Sequence, residues 1–411
     1  MAASNGQRFV IIGNGIAGTT AAETLKLEAP DSQVTLVGLE PYPLYNRVSL
    51  PRYLHGLARE RVILRTVEQH RERGIDLQLE RVATGVDPAG HTVSFDNGKE
   101  LPYDKLMICT GGRPLPYPAP GADAVGQSVF AFQTLDETDA IHERMQTAGS
   151  AVAIGGSFIA YELAEAFVHN GLTTYWVQRG PHFLRRVLDD AGGELVDFLA
   201  REAGVETIYN QEVESVAGGG AGIDVKLASG RVLSAGMLGY GLGLKMYAEW
   251  LEGSGIKFDG GVVCNEYLEA SVPDVYAGGD IARFVDLLLD GQLNQMGTWD
   301  NAEEHGKVAA RNMLGAHVPY REVPTYSTSM FRSNLAVMGI TPENAEVESV
   351  TKVDIPGRFY RALFFYKNRI AGCVMIGSPK GRKKLIEMMQ QGIEVPAGTA
   401  REALLDPANL A

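Results

Sequence analysis

The stretch "RFVIIGNGIAGTTAAETL", Arg8–Leu25, decides how this chain is read. An apolar run from Phe9 to Ile12 meets Gly13-x-Gly15-x-x-Gly18, and an alanine-rich helical segment follows. Each glycine answers a steric demand. Gly13 makes the tight turn, Gly15 lets the backbone approach a pyrophosphate, and Gly18 lets helix pack on strand. The helix N-terminus at Ile16 and Ala17 then offers free N–H groups and a positive dipole end to the phosphates. The pattern gains weight from its context. The next strand-like run, "QVTLVGLE", closes on Glu40, 27 residues past Gly13, where a carboxylate can accept both ribose hydroxyls. The stretch predicts a βαβ unit that holds a dinucleotide.

About 140 residues further on the layout returns. "AVAIGGSFIAYELAEAF", Ala151–Phe167, reads as strand, glycine turn and amphipathic helix, and "TTYWVQRG" supplies the following strand. Gly155 keeps the tight turn, and Phe158 and Ile159 open the helix. Ser157 stands at the close-approach position, where its Cβ meets the pyrophosphate and its hydroxyl is free to donate to a phosphate. Ala160 takes the helix-packing place, which the fingerprint tolerates. Two such units suggest two nucleotides held by two domains.

Composition fits this plan. At 411 residues the chain is too long for one hydrophobic core. A formal charge of −13 argues against a nucleic-acid partner, since that affinity comes mainly from cations displacing phosphate counterions. No run of eighteen apolar residues spans a membrane, and the N-terminus enters a strand too early for a signal peptide. The expected compartment is the cytoplasm. The three cysteines, Cys109, Cys264 and Cys373, are far apart and lie in apolar strand-like runs, so they read as small buried hydrophobes. The eight histidines form no ligand pair on a helix face, and no metal site is expected.

At this point the sequence resembles the two-dinucleotide-binding-domain flavoproteins, the pyridine nucleotide-disulfide oxidoreductase superfamily. In these the first glycine turn holds FAD and the second holds NAD(P)H. "YDKLMICTGGRP" (Tyr103–Pro114) is similar to the turn where the family's chain leaves the flavin domain, with Thr110 and Gly111 at its centre. "VPDVYAGGDIAR" (Val272–Arg283) resembles the closing FAD motif, in which Asp280 meets the ribityl chain. "EPYPLYNRVSLPRYL" (Glu40–Leu54) and "TWDNAEEHGKVAARNMLG" (Thr298–Gly315) are similar to segments of rubredoxin and ferredoxin reductases and of the FAD/NAD(P)H part of assimilatory nitrite reductases.

The resemblance implies an α/β fold: two Rossmann-like nucleotide-binding domains plus a small α+β C-terminal domain. The FAD domain would comprise residues 1–113 and 236–318, the NAD(P)H domain 114–235 and the C-terminal domain 319–411. It also implies that Arg47 reaches the flavin nucleotide and that Arg52 places a cation near the ring. Trp299 and Phe331 either cover the flavin face or pack in an aromatic core. A fixed cation would favour the anionic reduced flavin. Glu162 matches a family glutamate near the nicotinamide. A homodimer is compatible with the resemblance.

Two absences narrow the chemistry. No cysteine precedes Cys109, so nothing in the "YPLYNRVSL" loop can attack a disulfide or peroxide. Gln178 ends the second unit's strand where NADH-using relatives place a glutamate for the adenosine ribose. Arg179, Arg185 and Arg186 follow it and could pair with a 2′-phosphate, which would favour NADPH. The expected function is an FAD-dependent NAD(P)H oxidoreductase that feeds a separate acceptor, such as a small iron–sulfur protein of the rubredoxin or ferredoxin type. The alternative is a flavin-binding subunit or sensor with a degenerate nicotinamide site, fed by or docking to a partner.

Overall fold

The computed structural model describes residues 6–410. Residues 1–5, which enter the expectation about a signal peptide, lie outside the described residues. The chain divides into two compact units. One comprises residues 1–46, 60–113 and 246–326, the other residues 47–59, 114–245 and 327–411.

The first unit is organised by a five-stranded sheet in the order Val275–Ala277, Lys105–Ile108, Arg8–Ile12, Gln33–Val37, Ile75–Gln78. Every neighbouring pair is parallel. Strands covered on both faces read as continuous apolar runs, and Phe9, Ile11, Leu36, Leu106 and Ile108 are fully buried. Each such side chain contributes about 1.5–3 kcal/mol. From Arg8–Ile12 the chain passes to Gln33–Val37 on one side and later to Lys105–Ile108 on the other. That reversal makes the carboxyl ends of these two strands the switch point where doubly wound sheets hold ligands.

The second unit repeats the plan. Its parallel sheet runs Val205–Ile208, Thr173–Val177, Ser150–Ile154, Met237–Tyr240, Val129–Phe130. Met237–Tyr240, which the sequence reading drew into the FAD domain, therefore belongs to this sheet. All four of its residues are buried, as an interior strand requires. The glycine-rich stretch Ala217–Gly222 is largely strand. Val213–Gly219 pairs antiparallel with Gly222–Leu227.

A five-stranded antiparallel sheet completes the second unit, in the order Thr325–Met330, Ser333–Gly339, Arg369–Ile376, Phe359–Tyr366, Glu348–Asp354, with the helix Arg382–Gln390 after it. Its first hairpin turns through Phe331 and Arg332, both left-handed at φ +45° and +62°. Two-residue hairpins need positive φ at both central positions, which glycine and asparagine usually supply. Here the geometry is held from outside: the Phe331 N–H donates to Glu165 Oε1 at 2.6 Å, and Phe331 packs edge-on to Tyr161 and tilted against Trp176.

The segment 47–59 also belongs to this unit. The Tyr53 hydroxyl donates to Asp139 at 2.8 Å, Arg59 Nε donates to both oxygens of the same carboxylate, and Asn170 Nδ2 donates to the Leu54 carbonyl.

Candidate functional site

Three motifs of the first unit converge on its switch point. The first glycine turn leaves Arg8–Ile12 and enters the helix Ile16–Glu28, "YDKLMICTGGRP" carries Thr110 and Gly111 past the end of Lys105–Ile108, and Gly278–Gly279–Asp280 follows Val275–Ala277. A Cβ on Gly13 would overlap the Cys109 carbonyl, and one on Gly18 would overlap the Gly13 carbonyl. A Cβ on Gly15 would meet no protein atom within 4 Å. The packing therefore demands glycine at 13 and 18, whereas at 15 it leaves open space beside the backbone, room for a close ligand. The Thr110 hydroxyl is buried without a partner. An orphaned polar atom beside an open glycine cradle at a helix N-terminus, with Glu40 and Asp280 near its rim, fits a dinucleotide.

The other candidate side chains have contacts of their own. Glu40 lies three residues beyond its strand and accepts the Tyr45 hydroxyl at 2.7 Å. Arg47 donates to the Gln133 carbonyl at 2.8 Å. Arg52, on the short helix Leu50–Leu54, is exposed. Trp299 is half-buried and lines a cleft of about 400 Å³ with Ile16, Leu44 and Leu64. Phe331, expected as a flavin cover, is only 3% exposed and is engaged in the second unit's aromatic core.

His305 was not singled out in the sequence. It is fully buried on the helix Trp299–Met313, and its Nδ1 accepts the Gly279 N–H at 3.2 Å, so it steadies the turn that carries Asp280. Burial pushes its pKa down to about 3. Above pH ~6.5 the ring is neutral in both folded and unfolded chains. As pH falls below ~6.5 only the unfolded chain takes up this proton, so stability drops progressively toward pH 3. His55 acts in the same sense, pushed down to about 4 by burial and by His169. Chemical denaturation across pH 7 to 5 should give a flatter slope for His305→Gln than for the wild type, because glutamine keeps an acceptor without the buried ionisation.

The second glycine turn is closed by its own contacts. Gly155 sits at φ +123°, where a Cβ would overlap the Gly241 carbonyl. The Ser157 hydroxyl, expected to be free for a phosphate, donates to that carbonyl at 2.8 Å. A Cβ on Gly241 would come within 2.8 Å of Ser157 Oγ; the compensating glycine follows an apolar strand in "MLGYG", and that was the available signal. Trp176 Nε1 donates to the Gly155 carbonyl at 2.8 Å, a further brace that sequence reasoning missed. The helix Phe158–His169 leaves from Ser157 with no side-chain cap, and a helix N-terminus is where backbone N–H groups receive an anion. Ala160 is buried against the turn, and Glu162 is only 7% exposed, not a surface glutamate. Gln178 follows Thr173–Val177 and is 1% exposed, with both amide atoms unpartnered. Arg179 lies 3.7 Å from Glu212, and Arg185 is exposed.

The cysteines are free and buried. Burial raises all three thiols, Cys264 and Cys373 to about 12, which suppresses the nucleophilic thiolate.

Two glycine-turn units in one chain, the first with its ligand-facing cradle, agree with the family comparison. The family described as pyridine nucleotide-disulphide oxidoreductase matches residues 7–306. The chain belongs to this family. Among its similar members is the NAD(P)H nitrite reductase of Bacillus subtilis (strain 168), 26% identical over 98% of this chain and 49% of that protein. The 3-phenylpropionate/cinnamic acid dioxygenase ferredoxin–NAD(+) reductase component of Photorhabdus laumondii subsp. laumondii is 26% identical over 95% of this chain and 98% of its own length. The chain thus spans about half of the nitrite reductase and nearly all of the reductase component. The solved covalent complex of putidaredoxin reductase with putidaredoxin contains a chain of the same fold, with a TM-score of 0.90 at 24% identity, covering 98% of this chain and 96% of that one. No helix among the described residues is long and apolar enough to cross a membrane.

Proposed function

We propose that this chain is an FAD-dependent NAD(P)H oxidoreductase that passes electrons to a separate acceptor, a small iron–sulfur protein of the rubredoxin or ferredoxin type. The observation that carries the reading is the convergence of Gly13–Gly18, Thr110–Gly111 and Gly279–Asp280 at one switch point, with open space beside Gly15 where a ligand can approach the backbone. When bound, the flavin accepts two electrons as hydride from the nicotinamide, and this transfer needs no acid or base from the protein.

The chain's own residues bind and position. In this reading the N–H groups at Ile16 and Ala17 receive the flavin pyrophosphate, Glu40 the adenosine ribose, and Asp280 the ribityl hydroxyls, with His305 steadying the Asp280 turn. At the second turn the helix N-terminus at Ile159 receives the nicotinamide nucleotide's pyrophosphate, and Glu162 lies one turn into that helix. With Ser157 committed to Gly241, backbone donors carry the phosphate contacts. The relative that acts as a ferredoxin–NAD(+) reductase component supports the class of acceptor, and the raised thiols leave the flavin edge as the route for electrons.

One observation favours a second reading. The Ser157 hydroxyl is committed to the Gly241 carbonyl and Gln178 is buried beside the turn, as in a flavoprotein that no longer takes up nicotinamide and is fed by a partner. Anaerobic mixing of the flavin-loaded protein with NADPH and with NADH separates the two. The reductase should bleach near 450 nm with at least one of them; no bleaching by either at millimolar concentration would sink it.

A further inference from the structure

We infer that the second glycine turn selects NADPH over NADH, with Arg185 as the residue that receives the 2′-phosphate; this rests on reading that turn as the nicotinamide nucleotide's site. In a strand, turn and helix of this kind the adenosine ribose lies at the end of the following strand. A carboxylate there holds a 2′-hydroxyl, whereas a nearby arginine accommodates a 2′-phosphate. The residue at this place is Gln178. Its amide has no charge to repel phosphate, its Oε1 lies 3.2 Å from where a Cβ on Gly156 would stand, and both its polar atoms lack a partner. A buried unsatisfied amide costs about 1–3 kcal/mol, and a ribose hydroxyl that reached it would relieve that cost.

The three arginines that follow are not equivalent. Arg186 lies 3.5 Å from Glu343 and Arg179 lies 3.7 Å from Glu212. Arg185 makes no ion pair among the described residues. Its position is built by the backbone. Leu184 adopts a left-handed φ of +46°, donates its N–H to the Gly156 carbonyl at 3.1 Å, and buries its side chain. This reversal brings Arg185 back across Gly180, with Cδ 2.5 Å and Nε 3.2 Å from where a Gly180 Cβ would stand. The strained residue thus returns an uncommitted guanidinium to Gly180, two residues past the neutral Gln178. A leucine in this conformation costs about 1–2 kcal/mol, and the placement of Arg185 gives that cost a purpose.

The test is calorimetric binding of adenosine 2′,5′-bisphosphate and adenosine 5′-monophosphate to the flavin-loaded full chain, wild type and Arg185→Ala. The wild type should bind the bisphosphate at least about tenfold more tightly, as one charge-assisted contact allows, and the margin should shrink with added salt. Arg185→Ala should lose most of the margin while keeping its affinity for the monophosphate and its melting temperature. Equal affinities in the wild type, or a margin that survives in the variant, would overturn the assignment of Arg185 while leaving a nucleotide site in place. Failure of both fragments to bind at millimolar concentration would overturn the nucleotide reading of the turn, and the inference with it.

Discussion

Gly13→Ala should yield a colourless protein that does not regain FAD on incubation with it. Gly13 holds φ at +111°, and an added Cβ would overlap the Cys109 carbonyl oxygen, with the Thr110 nitrogen 3.0 Å away. These obstacles are backbone atoms of the neighbouring strand. That strand cannot retreat without losing the Cys109 N–H bond to the Ile12 carbonyl, 2.7 Å long. Backbone strain and overpacking together cost about 3 kcal/mol or more, concentrated at the mouth of the switch point, so flavin affinity should fall at least about a hundredfold. Gly15→Ala is the informative companion. Its Cβ meets nothing in the protein, so its melting temperature without flavin should match the wild type while FAD binding weakens about tenfold or more. Absorbance after purification, flavin titration and a melt of each stripped protein would check both. A yellow, normally stable Gly13→Ala would show that the turn is not what shapes the site.

Glu165→Ala should damage the second unit well beyond an ordinary surface change. The carboxylate accepts from Phe331 and also from the Arg332 N–H, and it is what holds two bulky residues in left-handed backbone. Truncation leaves two donors near the core unsatisfied at about 1–3 kcal/mol each. A loss of about 2–4 kcal/mol, or about 5–15 °C in melting temperature, is expected. Glu165→Gln keeps one acceptor and should cost about half as much.

The same carboxyl has a pH signature opposite to that of His305. Burial pushes it up from 4.5 to about 7, so between these values the folded chain holds a proton that the unfolded chain has released. Stability from this source is present below pH 4.5 and is lost as pH rises through 7. Glu165→Gln should remove that dependence and leave the acid loss from His305 and His55 uncovered. A Glu165→Gln protein with an unchanged stability profile between pH 5 and 8 would refute the assignment.

What was legible in the sequence was whatever rests on local backbone demand. The roles of Gly13 and Gly18, both parallel sheets and the burial of the cysteines follow from steric rules and continuous apolar runs, and the structure carries them. What escaped depends on partners distant in the chain. Ser157 could be seen as a departure, but not that Gly241, 84 residues later, takes its hydroxyl. Arg47 could be placed in the right loop, but not its hold on the Gln133 carbonyl. Met237–Tyr240 carries the same apolar signal as any interior strand, and only the pairing tells which sheet it enters. Phe331 looked like a cover for a cofactor because an exposed-looking loop aromatic and a buried hairpin tip are written alike.

The grip of Glu165 on the Phe331–Arg332 hairpin bears on how such chains can be recombined. The helix that follows the second glycine turn and the antiparallel sheet near the chain's end are some 160 residues apart in sequence, yet the carboxylate on one is the missing half of the turn on the other. A chimaera that imports the nucleotide-binding insert from a relative and keeps its own C-terminal segment would face a charged residue with no donors, or a strained turn with no acceptor. Grafts should therefore succeed when the insert and the tail come from the same parent and fail when they come from different ones. The unit of inheritance is discontinuous in the gene although it is continuous in space.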